Sequence, residues 1–94
     1  MTTSPWAQAA RLIRAELKSA FPTIRFSVTS EVFGGGDAVR IRWTGGPTYK
    51  DVAAIVNKYE QGHFNALTDG YEYNNRRDDI PQVKFISLRR REAA

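Results

Sequence analysis

Cationic side chains are the best chemical equipment this chain carries. Arg25, Arg40, Arg42 and Lys84 sit in extended, alternating stretches, and Arg89, Arg90 and Arg91 follow as an unbroken run. Guanidinium and ammonium groups clustered in this way neutralise phosphates and release counterions, so they offer salt-sensitive recognition of a polyanion rather than bond making. The same pattern also suits a solvated strand face whose charges discourage edge-to-edge aggregation, with the arginine run as a solvated tail. Acid–base chemistry has a thinner basis. His63 is the sole histidine; Asp69 or Glu72 would be its carboxylate partner, and no nucleophile with an orienting neighbour accompanies them. One histidine rules out a multi-histidine metal site, and Asp69, Glu72, Asp78 and Asp79 do not follow the spacing of a calcium loop. With no cysteine in the chain, disulfides, thiolate nucleophiles, iron–sulfur clusters and sulfur-ligated zinc are excluded. The sequence therefore predicts no metal, no cofactor and no enzymatic activity.

Three further segments invite a functional reading. Gly34-Gly35-Gly36 is glycine-rich, but a phosphate cradle feeds a helix start whereas these glycines precede a strand, so they read as a hairpin turn. Gly45-Gly46-Pro47-Thr48 does lead into a helix, and it suits either an anion at the helix start or a plain strand-to-helix turn. The stretch 61–79 is poor in aliphatics and long for an idle connector. Its Phe64, Tyr71 and Tyr73, with Asp69 among them, either anchor the loop or form a contact surface for a protein partner.

These residues need elements to hold them. Ser4 can cap and Pro5 can open a helix in which Trp6, Ala10, Ile13, Leu17, Ala20 and Phe21 recur at helical spacing, predicting a helix from about Pro5 to Ala20. Arg11, Arg14 and Lys18 share its solvent side, and Pro22 stops it. From Ile24 the period becomes two: Ile24, Phe26 and Val28 face one way and Arg25, Ser27 and Thr29 the other, giving a strand to about Val32. After the glycines, Val39, Ile41 and Trp43 resume alternation with Arg40 and Arg42 between them, which makes a β-hairpin. Thr48 and Asp51 resemble a capping box for a second helix from Tyr49 to about Tyr59. A short strand is expected near Tyr71. A last strand follows, with Val83, Phe85 and Ser87 alternating against Lys84, Ile86 and Leu88.

The predicted fold class is α+β: a small antiparallel sheet of about three strands with two helices packed on one face, in the order α-β-β-α-(loop)-β. Alternation assigns Arg25, Arg40, Arg42 and Lys84 to the uncovered face. Phe26, Trp43 and Phe85 are expected on the core face, away from any bound nucleic acid. A length of 94 residues, 41% of them hydrophobic and 26% charged, with a net charge of +4, suits a single globular domain over 1–94. Flexible ends are expected at 1–4 and 89–94. No signal peptide or membrane span is visible, which predicts no membrane partner and a cytoplasmic protein. The sequence specifies no oligomeric state.

Read in order, Leu17-Lys18-Ser19-Ala20-Phe21-Pro22, Arg25-Phe26-Ser27-Val28, Gly35-Gly36-Asp37, Ile41-Arg42-Trp43-Thr44 and Gly46-Pro47-Thr48 form one pattern, continued by Gly62-His63-Phe64 and Thr68-Asp69-Gly70-Tyr71-Glu72-Tyr73. Together they resemble the large polyvalent protein-associated domain family numbered twenty-nine, over about Ala10 to Leu88. That family's loop usually reads Phe-Asp-Gly-Met before its Thr-Asp pair, where this chain has Phe64, Asn65, Ala66 and Leu67. The resemblance implies an accessory module of phages, plasmids and conjugative elements, acting in a bacterial host cell. It implies counter-defence by analogy, including inhibition of the anti-CRISPR kind. Two functional expectations follow. One is a non-enzymatic module that engages nucleic acid, or a nucleic-acid-handling host protein, through Arg25, Arg40, Arg42, Lys84 and Arg89 to Arg91. The other is a protein–protein inhibitor or adaptor acting through the loop 61–73, with Phe64, Asp69, Tyr71 and Tyr73 as its contacts.

Overall fold

The computed structural model describes residues 4–93. The expectation of flexibility at residues 1–3 and at residue 94 lies outside them. Helix α1 spans Pro5–Ala20. The Ser4 side chain accepts from the Ala7 amide at 3.4 Å, and the Phe21 amide closes the last turn on the Leu17 carbonyl at 2.8 Å. Strands β1 (Ser27–Phe33) and β2 (Gly36–Thr44) form the hairpin. Helix α2 spans Tyr49–Val56 and continues as a 3-10 turn, Asn57–Tyr59. Its capping box is complete: Asp51 N–H donates to Thr48 Oγ1 at 3.2 Å and Thr48 N–H to Asp51 Oδ2 at 3.0 Å. Such a cap contributes about 1 kcal/mol. Two short strands, β3 (His63–Asn65) and β4 (Gly70–Glu72), form a second hairpin, and β5 runs Phe85–Arg91.

The fold is α+β, with a main sheet ordered β1-β2-β5. One expectation about it needs correction: the sheet is mixed. β1 pairs antiparallel with β2, whereas β5 pairs parallel to β2, from Ala38 opposite Phe85 to Thr44 opposite Arg91. Parallel neighbours need a long crossover. Here α2 and the segment after it carry the chain back to the start of β2. A second correction concerns Arg89, Arg90 and Arg91, which belong to β5 and are not a flexible end. Their backbone pairs with Arg42, Trp43 and Thr44, and the Gly45 amide donates to the Arg91 carbonyl at 2.8 Å.

Both helices pack on one side of this sheet. Ala9, Ala10, Ile13 and Leu17 of α1 and Val52 and Val56 of α2 meet Val28, Val39, Ile41 and Trp43, with Tyr59 and Val83 completing the core. Each fully buried Val, Leu or Ile contributes about 1.5–3 kcal/mol through burial. The turn between β2 and α2 requires glycine: Gly46 has φ +62°, and a Cβ there would come within 2.5 Å of Ile24 Cδ1. Side chains satisfy part of each sheet edge. Arg14 Nη2 donates to the Val28 carbonyl of β1 at 2.7 Å, while the β5 amides of Ile86 and Arg90 donate to Glu60 Oε2 at 2.6 Å and to the Tyr49 hydroxyl at 3.2 Å. Among the described residues, no helix is long and apolar enough to cross a membrane.

Candidate nucleic-acid interface

Register decides which side chains share the face that the helices leave open, since paired residues point the same way and direction alternates along each strand. β2 places Ala38, Arg40, Arg42 and Thr44 there; Ser27, Thr29, Glu31 and Phe33 flank them from β1, and Phe85, Ser87, Arg89 and Arg91 from β5. Arg42 stands directly opposite Arg89, with Arg40 one level before them and Arg91 one level after. At about 3.3 Å per residue the arginines therefore cover roughly 13 Å along the strands. All four are exposed. Arg40 Nη2 meets Glu31 Oε1 at 2.9 Å, with both side chains about half exposed, a pair worth about 0–1 kcal/mol. Arg42, Arg89 and Arg91 make no ion pair among the described residues. The face is dished, enclosing about 690 Å³ between Glu31, Phe33, the four arginines, Phe85 and Ser87.

The opposite end of this face is aromatic, where sequence reasoning expected only charge. Phe33 and Phe85 stack with ring centroids 5.9 Å apart and planes 28° from parallel. They reach each other from the two outer strands because the central strand supplies only Gly36 and Ala38 between them. Phe85 had been expected in the core with Phe26 and Trp43. The stretch 83–88 has apolar residues in both alternating sets; Val83, ahead of the strand, belongs to the core itself, and within β5 it is Ile86 and Leu88 that pack against that core. Phe33 was missed as a site residue, although it shares the alternation of Thr29 and Glu31. That shared parity was the available signal.

Three of the predicted cations stand elsewhere. Arg25 precedes β1, because the ladder ends at the Ser27–Arg42 pair; it lines a separate hollow with Arg14 and Lys18 of α1. Arg90 points to the helix side, where its Nε donates to the Pro47 carbonyl at 3.0 Å and clamps the turn before α2. Lys84 lies just ahead of β5. Its Nζ donates to the Gly35 carbonyl at 3.0 Å and sits over the rings of Tyr71 and Phe85, 5.1 and 5.6 Å from their centroids. Its amide donates to Asp37 Oδ1 at 2.8 Å. Lys84 thus ties the hairpin turn to the aromatic end of the face.

The 61–79 stretch is more ordered than an idle loop. Gln82, almost fully buried, accepts from the Arg77 amide at 2.7 Å and donates to the carbonyls of Lys58 and Asn75 at 2.7 and 2.9 Å. Tyr71 is an anchor: its hydroxyl donates to the Lys84 carbonyl, and its ring meets Phe85 edge-on at 5.3 Å and Tyr73 at 4.7 Å. Burial, with the nearby Glu60 charge, pushes the phenol up to about 12, so it stays neutral and able to donate. Gly62 is fixed by contact, since a Cβ there would fall 1.7 Å from the Glu72 carbonyl oxygen. Phe64 and Tyr73 are about half exposed and Leu67 is 97% exposed. Asp69 sits at the hairpin tip with φ +52°. His63 lies opposite Glu72, 3.6 Å from Nε2 to Oε2, and its Nδ1 faces Asn74 Nδ2 at 3.1 Å.

Two carboxylates at the edges of the core are shifted in opposite directions. Burial raises Glu60, only partly offset by the Ile86 amide and the His63 charge. Burial would also raise Glu16, but hydrogen bonds from Lys58 and Tyr59, with the Lys58 charge, outweigh it and hold that carboxyl below its ordinary value. Neither group faces the open sheet, and among the described residues no three His, Asp or Glu side chains gather as metal ligands would.

Fold and face together define a small α+β domain with an uncovered, basic sheet. Residues 5–92 match the family described as large polyvalent protein associated domain 29. The chain belongs to that family, whose domains are associated with the polyvalent proteins of phages and mobile elements. No curated protein and no solved structure matches it.

Proposed function

We propose that this chain is a non-enzymatic binding module that grips the phosphates of nucleic acid with Arg40, Arg42, Arg89 and Arg91. The observation that carries this reading is the alignment of four exposed arginines from two paired strands on one uncovered face, three of them free of ion pairs among the described residues. Strands fixed by the core beneath pre-position the backbone that bears these groups, so the ordering cost of binding is confined to the arginine side chains themselves. Four phosphate contacts predict that log affinity falls with log salt at a slope of about −3 on a single strand and nearer −4 on a duplex. The test is fluorescence anisotropy with labelled oligonucleotides across a salt series. Arg40→Glu combined with Arg42→Glu is expected to abolish binding with little change in melting temperature, and undiminished binding by this variant would sink the proposal.

The family's association with phages and mobile elements supports a setting in the cytoplasm of a bacterial host, where the module would act on incoming nucleic acid or on the host protein that handles it, in counter-defence. Transfer or plaque efficiency with the wild type and the double variant tests that setting; equal efficiency speaks against it. A second reading, a protein–protein inhibitor or adaptor, draws support from the β3–β4 hairpin, where Leu67 is 97% and Phe64 55% exposed. In that case Leu67→Asp removes partner binding that salt barely affects. Retention of the partner by Leu67→Asp would count against the hairpin.

A further inference from the structure

Resting on the nucleic-acid reading, we infer that the nucleic acid taken by this face is single-stranded, with Phe33, backed by Phe85, as the platform on which a base stacks. The arginines and the rings occupy successive levels of one face: Phe33 lies opposite Gly36 and Phe85 opposite Ala38, the cations begin at Arg40, and the one carboxylate among them, Glu31 at the Ala38 level, is already paired with Arg40. A backbone lying along the arginines therefore brings its next bases over the rings. In a duplex each base face is covered by its neighbours, and a ring on the floor of a sheet can reach none of them. In a single strand the faces are open, and aromatic platforms beside cationic tracks use this sequence-tolerant contact.

The shape of the face points the same way. Duplex grooves admit protruding helices or β-ribbons, whereas this surface is a dished sheet with its cations at one end and its rings at the other. Phe33 is 44% exposed, so a large part of it remains available to a ligand. The platform is also held in place. Phe85 is braced edge-on by Tyr71 and lies under Lys84, and a Cβ at Gly36 would come within 2.8 Å of the Lys84 side chain that braces it. The shared chemistry is a phosphate chain bearing unstacked bases, which single-stranded DNA and RNA both provide.

The experiment measures the affinity of the full chain for one labelled sequence as single-stranded DNA, as single-stranded RNA and as duplex DNA, at fixed low salt. Single strands are expected to bind at least about tenfold more tightly than the duplex, and Phe33→Ala to weaken single-strand binding about tenfold while leaving duplex binding within about twofold. Phe33→Leu keeps an apolar side chain without a π-face and should lose as much, whereas Phe33→Trp should restore the affinity. Circular dichroism of each variant establishes that it is folded. A preference for RNA over DNA adds contacts to the 2′-hydroxyl, and equal affinity leaves stacking and phosphates as the shared basis; both support the inference. Equal binding of duplex and single strand, unaffected by Phe33→Leu, overturns it while leaving the phosphate-binding face intact. Absence of binding to every oligonucleotide overturns both.

Discussion

On the helix side of the main sheet, Val28, Val39 and Ile41 are shut away from water; on its other side the intervening residues Arg40 and Arg42 stand exposed. Both sets hang from the same backbone and the same ladders. The inner set fixes the register, because a slip by one residue would turn the arginines inward and the aliphatics out. The outer set inherits its positions and contributes little to stability, so it is open to selection for binding. Stability is thereby carried by one set of alternate residues of a strand, and the set between them is left to the proposed binding.

The sharpest way to break this division is to truncate the inner face. Ile41→Ala removes a fully buried side chain from the centre of the core and is expected to cost about 2–5 kcal/mol. At about 4–8 °C per kcal/mol for a domain of this size, thermal denaturation should show a large loss. Arg89→Ala should shift stability by no more than about 0.5 kcal/mol, yet lower the single-strand salt slope by about 0.7. A comparable melting loss in the two variants would show that the faces are not separable.

A smaller effect separates the two shifted carboxylates at the margins of the core. Glu16 is held below its ordinary 4.5, so its stabilising contribution is complete above that pH and disappears as pH falls through its lower native value. Glu60 is raised above 4.5, so native protein holds its proton more firmly, and a cost sets in as pH rises from 4.5 through the native value. Melting curves against pH should therefore show Glu16→Gln losing most relative to wild type at neutral pH, and Glu60→Gln comparing least well with wild type in acid. Parallel pH profiles for the two variants would contradict the assignment. The smallest expected effect is that of Glu31→Gln, which frees Arg40 from its exposed ion pair: stability changes by less than about 1 kcal/mol, while oligonucleotide binding tightens a few-fold.

Where local chemistry decides, the sequence was a good guide. Ser4, Pro5 and the spacing of Ala10, Ile13 and Leu17 predicted α1, and Thr48 with Asp51 predicted the start of α2. Arg40 and Arg42 were placed on the open face because Val39, Ile41 and Trp43 allow only one parity. The last strand was harder. Apolar residues of both parities from Val83 to Leu88 left its facing undecided, so Phe85 was expected in the core. Arg89 to Arg91 looked like a tail because cations on consecutive positions show no alternation. Only pairing with β2, forty-seven positions distant between Arg42 and Arg89, makes them a strand. Parallel pairing is likewise invisible locally, because it depends on where the crossover delivers the chain.

That distant pairing gives the arginine face a history during synthesis. As the chain leaves the ribosome, β1 and β2 can close as soon as Thr44 emerges, but an isolated two-stranded ribbon is marginal in water. Arg89 and Arg91 arrive a few seconds later at about 5–20 residues per second. Only then do the four charges stand in line and Phe33 meet Phe85. Until β5 emerges and pairs with β2, the nascent chain therefore carries these four charges as two separate sets rather than as one face.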